Sequence, residues 1–137
     1  MYPTNLTTNE VKNSAGTEVE FLRRSNFGTS IEFAQSGETP NLEHRLKVSH
    51  QEIGSGVTMR RRSLVRVDKT VEGASGVPRV ISCYIVVDIP VGDISDYDDV
   101  KDALANLISN VASQGATTTI LFDCSGYGAD ALVNGTL

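Results

Sequence analysis

The 137-residue chain has no tryptophan, only two cysteines and two histidines, and no CxxC pair. No apolar run approaches the ~20 residues that a membrane helix requires. The first residues, MYPTNLTTNEVK, lack the basic start and apolar block of a signal peptide. No glycine-rich phosphate loop occurs either. We therefore expect one folded domain, residues 1–137, that stays in a cytoplasm and uses neither a structural zinc site nor a nucleotide.

The scarce reactive residues do not indicate an enzyme. His44 shares a strand face with aliphatic residues and is expected to be a core histidine, while His50, Cys124 and the aspartates have no spacing typical of a triad or metal site. Cys83 alternates with aliphatic residues and is predicted to be a small core residue. Cys124 lies in the loop-like DCSGYG, where an intersubunit disulfide stays an open alternative. No catalytic residue, cofactor or metal is expected.

The first two thirds of the chain contain six short extended runs separated by turn clusters, a pattern typical of an antiparallel meander. One of these runs is VTMRRRSLVRVD, residues 57–68, which is predicted to be a strand. From residue 96 to about 114 the spacing becomes helical. Ser95 with Asp98 resembles a capping box, and Gly115 is a natural stop. The tail, residues 115–137, is ambiguous, because its threonines disfavour a helix and ADALV suggests only a short turn. The apolar helix positions are Val100, Ala103, Leu104, Leu107, Ile108 and Val111.

Charge is segregated along this acidic chain, whose formal net charge is −5. Residues 42–68 carry six cations against three carboxylates, whereas residues 88–102 carry one cation against six carboxylates. Side chains alternate across a strand, so one face of the predicted strands collects most of the cations. Arg60, Arg62 and Arg66 share that face, and Arg61 points to the other.

The cationic face has two interpretations. Arginines on a single edge strand are usually solvated and discourage aggregation. Here two strands place cations on the same face and a third adds Tyr84. Cations two residues apart lie ~6.6 Å from one another, and a tyrosine offers a stacking surface for an unpaired base. We therefore favour a surface for a polyanion.

The opposite, apolar face predicts self-association. One amphipathic helix of about 19 residues and a short tail cannot easily cover a six-stranded sheet. An uncovered face of this size would be a large exposed apolar patch. We expect at least a homodimer.

Nearly the whole chain resembles the coat proteins of single-stranded RNA bacteriophages (the leviviruses) in the order of its predicted elements, in its length and in its hydrophobic pattern. The best local match is CYIVVDIPVGDISDYDDVKDALANLISNV, in which a long last strand and Ile89-Pro90 precede a helix. The resemblance implies an α+β fold, with an N-terminal hairpin (about 4–24), a five-stranded antiparallel sheet (about 29–90) and a C-terminal helix (about 96–114). It also implies an interlocked dimer with a ten-stranded sheet, a small T=3 icosahedral shell, and location in a virion assembled in the bacterial cytoplasm.

Carried over position by position, the resemblance assigns roles to three groups of residues. The RNA-binding residues for a single-stranded genome would be Arg45, Lys47, Ser49, Arg60, Arg62, Arg66, Ser82 and Tyr84, with Leu64, Val86 and Asp68 beside them. The loop that meets around the particle axes would run from Lys69 to Pro78 and include Glu72, Gly73 and Gly76. The dimer and core positions of the helix would be Val100, Leu104, Leu107, Ile108 and Val111.

Two departures from the familiar coat proteins matter. Those proteins often place an asparagine beside the tyrosine of the last strand to read an operator hairpin, but Tyr84 has Ser82 and Val86 as neighbours on its face. Recognition of a specific hairpin is therefore not implied. The tail also lacks a clear second helix. The rival hypothesis is a cellular dimeric RNA- or DNA-binding regulator, which would need the basic face and the dimer but no shell.

Overall fold

The computed structural model of the protein describes residues 1–136, which form six strands followed by two helices. The strands lie in one antiparallel sheet, in the order in which they occur along the chain. The predicted meander and α+β class are thereby confirmed. No helix in these residues is long and apolar enough to cross a membrane. The elements are β1 (Asn5–Leu6), β2 (Phe21–Phe27), β3 (Ser30–Gln35), β4 (His44–Ile53), β5 (Arg60–Glu72), β6 (Pro78–Ile89), α1 (Asp98–Val111) and α2 (Tyr127–Asn134).

The N-terminal hairpin is continuous with the main sheet. The two residues of β1 pair with Phe21 and Leu22 of β2. β2 then turns into β3 at Gly28, whose φ of +55° favours glycine. The predicted hairpin is therefore the first strand pair of a six-stranded sheet and is not separate from a sheet of five.

The hydrophobic core lies on one face of the sheet. Its most buried side chains are no more than 6% exposed: Leu6, Phe21, Phe33, Leu46 and Val48. Val65 and Val67 of β5 pack against this cluster, opposite Val48 and Leu46 in the register. Full burial of each phenylalanine stabilises the fold by about 1.5–3 kcal/mol. The first five strands thus contribute side chains to the core, and β6 contributes none to this buried cluster.

The strand rich in arginine begins later than predicted. Gly56–Thr58 forms a 3-10 turn, and β5 starts only at Arg60. The backbone N–H of Gly92 donates to the carbonyl of Met59 at 3.0 Å, and a Cβ on Gly92 would lie 2.0 Å from the Gly56 carbonyl oxygen. This close backbone contact holds the turn, and it has no signature in residues 57–59 themselves.

The predicted loop from Lys69 to Pro78 is wrong in its bounds. Lys69 and Glu72 belong to β5, and Pro78 belongs to β6 and pairs with Glu72. Only residues 73–77 connect the strands, closed by hydrogen bonds from Gly73 N–H to the Val77 carbonyl and from Gly76 N–H to the Gly73 carbonyl. The two strands continue pairing almost to the glycines, so the connection is a short hairpin tip.

Helix α1 confirms the predicted helix, with shorter ends. It runs from Asp98 to Val111 and its N-cap is Tyr97, so the predicted capping box at Ser95 is wrong. The carboxylate of Asp96 instead accepts the backbone N–H of Asp98 at 3.0 Å. Two aspartates occupy the first turn, where the helix dipole favours negative charge.

The tail contains a second helix that the sequence pattern did not predict. Tyr127–Asn134 forms α2, which Gly135 ends with φ +65°. A Cβ on Gly128 would lie 2.1 Å from the Asn110 carbonyl oxygen, and one on Gly126 would lie 2.2 Å from that of Ser113. The two glycines allow α2 to begin directly against the end of α1, so tertiary packing outweighs the weak helical pattern of the tail.

The described chain divides into two compact units. The first holds Met1–Val11 and Glu18–Ile94, which include the whole sheet, and the second holds residues 12–17 and both helices. The expectation of one coat-protein domain stays a prediction.

Candidate nucleic-acid interface

The strand register places all eight predicted RNA-binding residues on one face of β4, β5 and β6. Lys47 pairs with Arg66, which pairs with Tyr84, so these three side chains form a row across the strands. The neighbouring rows are Arg45–Asp68–Ser82, Ser49–Leu64–Val86 and Gln51–Arg62–Asp88, with Arg60 beside the last. We call this surface the polar face and define it by the residues of these four rows and Arg60. Their role in binding RNA stays a prediction.

Accessibility differs among the cations of the polar face. The side chains of Arg60, Arg62 and Arg66 are 51%, 55% and 43% exposed. Tyr84 is 65% exposed and presents its ring to solvent. Arg45 is only 14% exposed and is bound by Glu38 and Glu43. A ligand would therefore reach the other cations and Tyr84 more readily than Arg45.

Asp88 contacts two of the exposed arginines. Its Oδ1 accepts from Nε of Arg60 at 2.9 Å, and its Oδ2 lies 3.3 Å from Nη2 of Arg62. The hydrogen bond from Arg60 is the main cause that lowers the pKa of Asp88. At neutral pH, one carboxylate thus partly neutralises two guanidinium groups.

A second carboxylate lies in the middle of the polar face. The Ser82 hydroxyl donates to Asp68, and Nε of Arg66 lies 2.8 Å from the same carboxylate. The Ser82 hydrogen bond is the main cause that lowers the pKa of Asp68, and Arg66 adds to it. Nη2 of Arg66 also donates to Ser82 at 3.2 Å. Arg66 is therefore held in place beside Tyr84.

Lys47 differs from these arginines. Its side chain is exposed, and within residues 1–136 it makes no direct ion pair. It lies in the same row as Arg66 and Tyr84. This row therefore combines Lys47, whose charge contributes to lowering the pKa of Asp68 without a direct ion pair, with one paired cation and one exposed ring.

Arg61 lies on the opposite face, as strand alternation predicts. It pairs in the register with Glu52 and Ile89, and its Nη2 lies 2.8 Å from the Glu52 carboxylate. Nearby, Nδ1 of His50 is 2.8 Å from the Ser63 hydroxyl. These groups are polar but lie across the sheet from the row of Lys47.

The apolar face remains exposed along β6. Ile81 is 53% exposed and Ile85 is 38% exposed. Cys83 lies between them and is also exposed, so its prediction as a core residue is wrong for the isolated chain. The reason is position, because β6 is the edge strand of the sheet. Cys124 is exposed with φ +61°, in agreement with its predicted loop.

The predicted core positions of α1 lie in the helix, but none of them is buried. Leu107 is 45% exposed and Ile108 is 40% exposed. Val100, Leu104 and Val111 are half-buried. Their part in a dimer stays a prediction.

His44 lies on the core face but is half-buried. Its Nδ1 is 2.8 Å from Oε1 of Gln35, and its ring packs edge-on against Phe21 with centroids 4.9 Å apart. Burial lowers its pKa. The described residues contain no group of three or more side chains placed to hold a metal.

Sequence reasoning missed the role of Asp88. Strand alternation placed Asp88 on the face of Tyr84, but the charge count grouped it with the acidic segment before the helix, and its position opposite Arg62 was not predicted. Parity gives the face of Asp88, which alternates with Val86, Tyr84 and Ser82 along β6, but only the register between β5 and β6 shows that it lies opposite Arg62.

No protein-family profile and no curated protein sequence matches the chain. Solved structures do match it. The coat protein of bacteriophage EMS014 aligns with a TM-score of 0.78 and 12% identity, over 100% of this chain and 99% of that one. A virus-like particle of bacteriophage AVE015 aligns with a TM-score of 0.54 and 13% identity, over 85% of this chain and 80% of that one. A virus-like particle of bacteriophage AVE019 aligns with a TM-score of 0.55 and 16% identity, over 97% of this chain and 93% of that one.

These alignments establish the fold of bacteriophage coat proteins for this chain. The alignment with the EMS014 coat protein covers the sheet and both helices from end to end. The resemblance inferred from the order of strands and helix is thus confirmed at the level of the fold.

Proposed function

We propose that this chain is a capsid subunit, a non-enzymatic coat protein that forms a homodimer, assembles into a small icosahedral shell and binds single-stranded RNA through the polar face. The observation that carries the proposal is the full-length similarity in fold to the EMS014 coat protein. Two of the matched structures are virus-like particles. The protein would act in the virion, after assembly in the cytoplasm of a bacterial host.

The edge strand supports the dimer. β6 is twelve residues long and ends the sheet, so the outer edge of its backbone has no partner strand among residues 1–136. An edge of this length invites pairing with another chain. Ile81 and Ile85 expose apolar surface along it. A second copy would supply a strand for this edge.

The helices support the same partner. Leu107 and Ile108 of α1 are exposed in the single chain, and Leu132 and Val133 of α2 are 69% and 80% exposed. Each copy thus carries both an incompletely covered sheet face and incompletely covered helices. Two copies could cover these surfaces reciprocally, as a two-fold interface requires.

The polar face supports the RNA ligand. Lys47, Arg66 and Tyr84 form one row, and Arg60 and Arg62 extend the cationic surface along β5. Backbone phosphates are held by cations, and unpaired bases stack on exposed rings. Tyr84 thus favours single-stranded or looped RNA over a plain duplex.

The hairpin tip, residues 73–77, is proposed to make contacts between dimers. Its two glycines include Gly76 with φ +76°, and it projects beyond the last strand pair. A tip of this kind can differ among environments of a shell while β5 and β6 keep their pairing.

Electron microscopy of the purified recombinant protein tests the proposal directly. Uniform closed particles that contain nuclease-protected RNA support a coat protein. Free dimers that bind RNA, with no particles under any assembly condition, would favour the dimeric regulator instead.

A further inference from the structure

The exposed arginines at one end of the polar face share a single acceptor. Arg60 and Arg62 project from the same side of β5, and each contacts a different oxygen of Asp88. Both carboxylate oxygens are therefore occupied. One N–H of each guanidinium, Nε of Arg60 and Nη2 of Arg62, thus donates to a carboxylate and is not directed at a phosphate.

We infer that Asp88 competes with RNA for Arg60 and Arg62 and thereby limits the affinity of the polar face. The inference rests on the proposed RNA-binding function. A carboxylate and a phosphate accept the same charge-assisted hydrogen bonds from arginine. A phosphate that takes the Nε–H of Arg60 or the Nη2–H of Arg62 must displace Asp88, and one that takes the other N–H groups still meets its negative charge, whereas Lys47 makes no direct ion pair within residues 1–136.

The displacement is feasible because the pairs are exposed. The side chain of Asp88 is 32% exposed, and those of its two partners are more than half exposed. Exposed ion pairs are weak and are screened by salt. A single anion would gain little over Asp88, but a chain of phosphates gains one contact after another. Asp88 therefore favours long polyanions over isolated anions.

Asp68 is a less suitable position for the test. It accepts a hydrogen bond from Ser82 as well as contacting Arg66, so its removal would release two side chains next to Tyr84. The partners of Asp88 are the two arginines.

The opposite face provides a matched control. Glu52 of β4 forms an exposed ion pair with Arg61 of β5 at 2.8 Å, just as Asp88 of β6 pairs with arginines of β5 from the other neighbouring strand. Glu52→Gln removes one negative charge, as Asp88→Asn does. It leaves the polar face unchanged.

The test measures the binding of a short, unstructured, fluorescein-labelled single-stranded RNA to the smallest soluble species by anisotropy across a salt series. Asp88→Asn should tighten binding roughly two- to tenfold, because only weak exposed pairs are lost. The slope of log affinity against log salt should become steeper by about 0.7 for each arginine that gains a phosphate. Asp88→Ser should act alike, and Asp88→Glu should restore wild-type affinity. Circular dichroism checks that each variant is folded.

Two results would overturn the inference alone. One is an equal gain in RNA affinity for Glu52→Gln and Asp88→Asn, which would show that the effect comes only from the change in net charge. The other is weaker binding by Asp88→Asn, which would mean that Asp88 orients the arginines for RNA. The gain must also vanish when Arg60→Ser and Arg62→Ser are added to Asp88→Asn. Wild-type protein without salt-dependent RNA binding would instead refute the proposed function, and the inference with it.

Discussion

Replacing the arginines of β5 one at a time separates the two faces of the sheet. Arg60→Ser, Arg62→Ser and Arg66→Ser each remove a cation from the polar face, and Arg61→Ser removes one from the opposite face. All four variants change the net charge by one. We expect the first three to weaken RNA binding and the fourth to leave it nearly unchanged.

The expected loss of RNA affinity follows from the exposure and the ion pairs of each arginine side chain. All three polar-face arginines are between 43% and 55% exposed, so each can reach a phosphate. Each lost phosphate contact should reduce the salt slope by about 0.7, so the triple variant should lose at most about 2, and less to the extent that Asp88 keeps phosphates from Arg60 and Arg62 in the wild type. Affinity should fall further when Arg60 and Arg62 are both replaced, because Asp88 is then left without a partner and repels RNA.

The assay needs a folding control. None of the three side chains is buried, and exposed ion pairs contribute little to stability, so thermal unfolding should be nearly unchanged. Arg61→Ser should affect stability or assembly more than salt dependence. If Arg61→Ser reduced the salt slope as much as Arg62→Ser, the strand would not present two distinct faces to RNA, and the assignment of the interface would be refuted.

Four further predictions concern the ring, the dimer, the hairpin tip and the histidine. Tyr84→Ala should weaken binding to looped or single-stranded RNA by ~1–3 kcal/mol, with less effect on duplex, as titrations of both ligands would show. Leu107→Asp should give a folded monomer in sedimentation, because a second copy would bury the new charge. Shortening the tip at 73–77 should leave dimers that no longer close into uniform particles in electron microscopy. Burial lowers the pKa of His44 in the folded state, so the unfolded state binds a proton more readily. The free energy of unfolding should therefore decrease as pH falls below about 6.5, the ordinary pKa of histidine. His44→Gln should make this decrease smaller in denaturant titrations.

Alternation along the strands was sufficient to predict the faces of the sheet. Arg60, Arg62 and Arg66 lie together, and Arg61 lies across the sheet from them, as their parity requires. Side-chain period in a strand is fixed by backbone geometry, so this prediction did not depend on knowing the neighbours.

The ends of the strands and helices depend on backbone contacts with residues far along the chain, so they were less predictable from the sequence. β5 begins at Arg60 because Gly92, far along the chain, approaches Gly56. Helix α2 forms where Gly126 and Gly128 pack against the end of α1. In each case a glycine marks the contact, but its partner becomes known only from the tertiary structure.

The electrostatics of the interface depend on register for the same reason. Counted along the sequence, residues 42–68 carry a surplus of three positive charges and Asp88 belongs to the acidic segment that follows. Antiparallel pairing brings Asp88 back to Arg62 and within reach of Arg60. The positive surplus on the polar face is therefore smaller than the segment suggests, and it lies nearer to Lys47. Charge on a sheet has to be counted by face and by row, because a carboxylate on the next strand, one hairpin turn away, can bind the same arginine as the proposed ligand.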